Sequence, residues 1–173
     1  LGLLGYAYQK VLLWLPQLYV KIPLPKAYTG LVPLLCVLPI GYFWHEIMCG
    51  GNGLIADLGQ NLPTISVVAG LFLLRFVFSM ISYGSGLPGG IFLPILSLGA
   101  LIGALYGLIM VQLGWLAPVY VPNLIIFAMG GYFAGIGKAP FTAILLVTEM
   151  VGSLVHLMPL AILSLVAYIV VDL

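Results

Sequence analysis

The sequence predicts an all-α integral membrane fold whose helices are broken, and three observations carry that prediction. Of 173 residues, 64% are hydrophobic and only 5% are charged, whereas an ordinary soluble domain carries about a quarter charged residues. Apolar runs of membrane-spanning length, roughly 20 residues, recur along the chain. Twenty-two Gly and 12 Pro interrupt them. In lipid a broken helix is tolerated only where protein buries the break or where it lines a cavity. Repeated breaks therefore point to a transporter or channel with a midplane site.

The same composition excludes other classes. Disorder needs low hydrophobicity and high net charge. A net charge of +1 gives no basic face for nucleic acid. Cys36 and Cys49 are too few for a disulfide framework and lack a zinc-ligand spacing. No basic segment followed by a short apolar core opens the chain, so no signal peptide is expected. The start at Leu1 and the stop inside an apolar run read as a piece of a longer polypeptide.

In chain order, Leu1 to Tyr19 is apolar enough to enter a membrane, with Gln9, Lys10, Pro16 and Gln17 within it. Lys21, Pro23, Pro25 and Lys26 make a loop. Leu31 to Met48 is a second apolar stretch containing Pro33 and Pro39. A glycine break covers Cys49 to Gly53, and Leu54 to Leu62 is too short to span, hence a partial helix. Thr64 to Tyr83 is a full-length apolar helix with one charge, Arg75. A second glycine break runs from Gly84 to Gly90. Ile91 to Leu116 is the cleanest spanning run. Pro118 and Pro122 mark a turn, then Leu124 to Ile136 is apolar. Gly137-Lys138-Ala139-Pro140 interrupts, Phe141 to Val151 is short, and Leu154 to Val171 is long.

Gly99, Gly103 and Gly107 recur every four residues on one helix face, and Gly131 and Gly135 repeat the spacing. Small residues at that interval let backbones approach closely, so these glycines are read as scaffold. Lys10, Lys21 and Lys26 cluster around one loop, which the positive-inside rule places in the cytoplasm.

The chemistry concentrates at Gly84-Ser85-Gly86-Leu87-Pro88-Gly89-Gly90-Ile91-Phe92-Leu93-Pro94. Pro94 fits the first turn of a helix, where a missing N–H costs nothing. The first N–H groups of a helix have no intrahelical acceptor and sit at the positive end of its dipole, roughly +0.5 of an elementary charge. A small anion satisfies such donors without a cationic side chain, and weakly enough to be released. The plain alternative is a glycine-rich turn with water at the helix end.

Gly90-Ile91-Phe92-Leu93-Pro94 resembles the GxFxP signature of CLC chloride channels and chloride/proton exchangers. The likeness extends through Gly89 to Ala100, to Gly137-Lys138-Ala139-Pro140-Phe141-Thr142, and to Gly50-Gly51-Asn52-Gly53-Leu54-Ile55. It implies the second inverted repeat of the CLC-type transmembrane domain, helices J to Q, with broken and tilted helices, over residues 1–173. On that register Leu1–Lys21 is J, Leu31–Met48 K, Leu54–Asn61 L, Thr64–Tyr83 M and Ile91–Leu116 N. Leu124–Ile136 is O, Phe141–Val151 P and Leu154–Val171 Q. It also implies chloride transport by channel or antiport in a multi-pass cell-membrane protein. Gly90, Ile91 and Phe92 would form the anion-binding junction, the amides of Ile91 and Phe92 making the contact. A homodimer through Leu154–Val171 and Phe141–Val151 is implied too. The first half of the same polypeptide would supply the other pore wall, with the gating glutamate, and the last helix the pore tyrosine. No cofactor or metal is expected. Gly84-Ser85-Gly86-Leu87-Pro88 spells the first half's GSGxP motif but runs directly into GGIFLP, so Ser85 is not given that serine's role. An acidic variant of helix N, associated with fluoride export, is absent, which favours chloride.

Glu149 is an intramembrane acid and thus a functional suspect. Met150 aligns better with the family's proton site, so a structural role is expected for Glu149, paired or near a helix end, as buried acids are usually partnered. Arg75, mid-helix, is expected to snorkel or cap a carbonyl, and could add positive potential along an anion path. His45-Glu46-Ile47-Met48-Cys49 departs from the HExxH metalloprotease helix at its second ligand. Gly137-Lys138-Ala139 fails the phosphate-binding loop, which needs Ser or Thr after the lysine. His156 is given no function. The alternative to transport is an intramembrane enzyme using Glu46, Asp57 or Glu149 with His45 or His156.

Overall fold

A computed structural model describes residues 1–19, 30–43, 58, 63–86 and 90–172. Among them the elements are α1 (Gly2–Tyr19), α2 (Leu31–Phe43), α3 (Ile65–Gly84), α4 (Phe92–Gln112), a 3-10 turn (Pro118–Tyr120), α5 (Val121–Gly137), α6 (Pro140–Val151) and α7 (Leu157–Asp172). Among the described residues, three stretches are long and apolar enough to cross a membrane: Ile65–Gly84, Phe92–Gln112 and Pro118–Gly137. The partial helix expected at Leu54–Asn61, the 49–53 break and the end of the Leu31–Met48 run lie outside the described residues, apart from the buried Leu58. Helix α2 runs through Pro39 without ending.

Several boundaries differ from those expected, each for a local reason. The Ile91–Leu116 helix ends at Gln112. Gly114 adopts φ 73°; its N–H reaches the Val111 carbonyl at 3.0 Å, and the Trp115 N–H reaches the Met110 carbonyl at 3.0 Å. That pairing around a left-handed glycine is the Schellman stop. The helix expected at Leu124–Ile136 begins at Val121 and ends at Gly137, and the 3-10 turn leads into it. Pro122 therefore lies in the first turn, where its missing N–H is harmless. Pro140 likewise opens α6. The last helix begins at Leu157, three residues after the expected Leu154. Ahead of it the Leu157 N–H bonds the Leu154 carbonyl in a turn.

Helix α5 packs against α1, α4, α6 and α7, and α3 packs against α1, α2 and α4. The α4–α5 seam is built on the glycine face. A Cβ at Gly103 would lie 2.7 Å from the Leu124 carbonyl oxygen and 2.8 Å from the Ile125 Cα, and one at Gly99 would lie 2.9 Å from the Met129 Cα. Only hydrogen fits there, so the two backbones touch as small-residue packing predicts. Behind the seam, Tyr8 of α1 stands edge-on to Phe76 of α3 and Tyr132 of α5. This core fixes the start of α4 against α3 and α5.

Candidate anion site at the start of helix α4

The Gly90–Phe92 junction forms the entry to α4. Gly90 is exposed, Ile91 to Pro94 are half-buried, and Ile95 to Leu101 are buried. Ile91 is the N-cap residue and has no hydroxyl or carboxylate to cap the helix. Its carbonyl accepts the first helical bond, from the Ile95 N–H at 3.2 Å. Among the described residues no acceptor is paired with the N–H of Ile91 or of Phe92. The Phe92 ring is held edge-on to Phe133 of α5, centroids 5.0 Å apart. It packs into the α4–α5 seam. Among the described residues, the junction thus holds helix-start donors without an acceptor.

Beside it lies a cavity of about 190 Å³ lined by Arg75, Phe78, Ser79, Ser82, Tyr83, Gly90 and Pro94. Arg75 does not snorkel: it is 1% exposed. The reason is a polar partner within the fold, since its Nε donates to the Ser97 hydroxyl at 3.1 Å. Ser97 in turn donates to the Pro94 carbonyl at 2.9 Å, and the Tyr83 hydroxyl donates to the Gly90 carbonyl at 2.8 Å. One of these bonds links α3 to the second turn of α4, and another links α3 to the junction just before it. Sequence reasoning singled out Gly90, Ile91, Phe92 and Arg75 and missed Tyr83 and Ser97. A serine one turn after a helix-opening proline, able to bond back to a carbonyl, was the available signal for Ser97. Tyr83 had no signal, because its partner lies across a glycine turn.

Glu149 lies in the last turn of α6, near a helix end, and is exposed, not buried. His156 is half-buried and edge-on to Phe127, centroids 5.9 Å apart. His45, Glu46, Cys49 and Asp57 lie outside the described residues. Ser85 donates to the Ser82 carbonyl at 2.6 Å. Lys138, in a left-handed conformation (φ 50°) after α5, pairs with Asp172 at 2.9 Å. That hydrogen bond raises the Lys138 pKa above its ordinary value.

Comparison with known proteins gives the family. The H(+)/Cl(-) exchange transporter ClcA of Vibrio campbellii is 40% identical over 135 residues, covering 74% of this chain and 27% of the relative. That of Klebsiella pneumoniae is 32% identical over 133 residues, covering 77% and 28%. The chain therefore spans little more than a quarter of the length of these relatives. A crystal structure of a slow cyanobacterial Cl-/H+ antiporter superposes with a TM-score of 0.85 at 25% identity, over 99% of this chain and 40% of that one. The apolar spans and the shared fold make this a multi-pass, all-α membrane chain. The voltage gated chloride channel family matches from residue 1 to residue 172, and this chain belongs to it.

Proposed function

We propose that this chain forms one wall of a chloride transport pathway, and that the polypeptide carrying it exchanges chloride for protons. The observation that carries the reading is the uncapped start of α4, where the N–H groups of Ile91 and Phe92 have no acceptor among the described residues. Oriented amides at a helix start bind a small anion without a fixed positive charge. The names of the relatives favour exchange over a channel. The rest of the polypeptide supplies the opposite wall. The exposed apolar residues of α6 and α7, among them Phe141, Leu145, Met158, Ile162 and Val166, support a homodimer through Phe141–Val151 and Leu154–Val171.

The test deletes one donor, and a second variant that keeps the donor controls for the change of side chain. Ile91 has φ −83°, a few degrees beyond the roughly −65 ± 15° that proline imposes, so Ile91→Pro removes the N–H with only a small backbone adjustment. Chloride affinity of the complete polypeptide, measured by calorimetry, is expected to fall at least about tenfold, as loss of a hydrogen bond to a charged group worth roughly 1.5–3 kcal/mol requires. Ile91→Val retains the N–H and is expected to bind as the parent does. Unchanged affinity in Ile91→Pro would overturn the reading.

A further inference from the structure

We infer that Tyr83 is a positioning residue for this anion site: its hydroxyl holds the Gly90–Ile91 peptide in the orientation that presents the Ile91 N–H. The inference rests on the anion reading of the junction and adds the group that orients it. The Tyr83 hydroxyl donates to the Gly90 carbonyl at 2.8 Å, and that carbonyl shares a peptide unit with the Ile91 N–H. A trans peptide is planar, with its C=O and N–H pointing in opposite directions. Tying the carbonyl to α3 therefore turns the N–H away from α3.

Gly90 does not impose that orientation. A Cβ there would meet nothing within 4 Å, and glycine is free on both sides of φ. If the peptide rotated, a carbonyl oxygen would replace the N–H and repel an anion. Tyr83 is itself held in register, because the Arg75–Ser97–Pro94 chain of hydrogen bonds fastens α3 to the start of α4. Donation into the carbonyl also polarises the peptide, which strengthens its N–H as a donor.

The test reads the peptide directly. In this chain a glycine followed by isoleucine occurs only at Gly90–Ile91 and Gly135–Ile136. Carbonyl-¹³C glycine with ¹⁵N isoleucine therefore gives, from these residues, one resonance at the junction and one internal reference inside α5, each identified in the complete polypeptide by its loss in Ile91→Val or Ile136→Val. The complete polypeptide in lipid is titrated with chloride, as the parent and as Tyr83→Phe. The expected result is a chloride-dependent ¹⁵N shift at Ile91 that shrinks in Tyr83→Phe, with affinity weakened about two- to tenfold, the usual worth of one neutral hydrogen bond. The Gly135–Ile136 resonance stays in place if the fold is intact. Replacement of Tyr83 by fluorotyrosine, a stronger donor of the same shape, moves the shift the other way, and this arm decides the matter should Tyr83→Phe misfold. Equal shifts and affinities in parent and both replacements overturn the role of Tyr83 and leave the anion site standing. No chloride response at Ile91 in the parent overturns the anion site and this inference with it.

Discussion

Lys138 shows how one residue balances two local effects. Its backbone is left-handed at φ 50°, a conformation that costs any residue with a Cβ and that glycine takes freely. Against that stands the ion pair with Asp172, both side chains about half exposed (50% and 51%). Exposed pairs contribute little, because water screens them. Lys138→Gly is therefore expected to raise the melting temperature of the protein in detergent at neutral pH. The pair's own contribution has a defined pH window. The hydrogen bond raises the folded-state lysine pKa, so the contribution is fully present below the ordinary lysine value and is lost as pH rises through the raised one. The advantage of Lys138→Gly over the parent should widen only in that alkaline range. Melting curves at neutral and alkaline pH check both statements, and a lower melting temperature for Lys138→Gly at neutral pH would show that the pair outweighs the backbone.

Among the helices, the α4–α5 seam is where glycine spacing becomes architecture. A methyl group at Gly103 would meet backbone atoms of α5 at 2.7–2.8 Å, and backbone cannot step aside as a flexible side chain can. Gly103→Ala is expected to destabilise by about 1–3 kcal/mol, the usual cost of overpacking. Gly70, on α3, has nothing within 4 Å of its Cβ position, so Gly70→Ala is expected to stabilise by roughly 0.5–1 kcal/mol through helix propensity alone. Denaturation of the two variants side by side tests the contrast, and equal effects would mean that the glycine face does not set the distance between α4 and α5. The seam was legible in the sequence because a four-residue glycine period has one structural use on a spanning helix. The start of α4 was legible for the same kind of reason: glycines followed by Pro94 admit few backbone paths. Its end was misread because apolar residues continue past Gly114 and hide a backbone stop. The buried state of Arg75 was not legible at all. Its partner, Ser97, is 22 residues away, and no periodicity within α3 reports a hydroxyl on another helix.

For the molecule as a whole, the decisive quantity is how much of a pathway these residues can enclose. The chain covers little more than a quarter of the length of its curated relatives. Within it, Ile91 and Phe92 are half-buried, and the Phe92 ring meets Phe133 of α5. An anion at those amides would keep roughly half its contacts in lipid or water. Lipid cannot hydrate it, and a bare charge in hydrocarbon is held only when surrounded by donors. Conduction needs a continuous file of such sites, each weak enough to release the ion, and one wall does not make a file. Liposomes loaded with chloride and reconstituted with this chain alone are therefore expected to retain it at the rate of protein-free liposomes. The complete polypeptide under the same conditions is expected to release it and to move protons in exchange. Chloride release from liposomes holding the chain alone would mean that copies of it assemble a pathway among themselves. The open face of α4 would then be an interface between copies instead of the seat of a second wall.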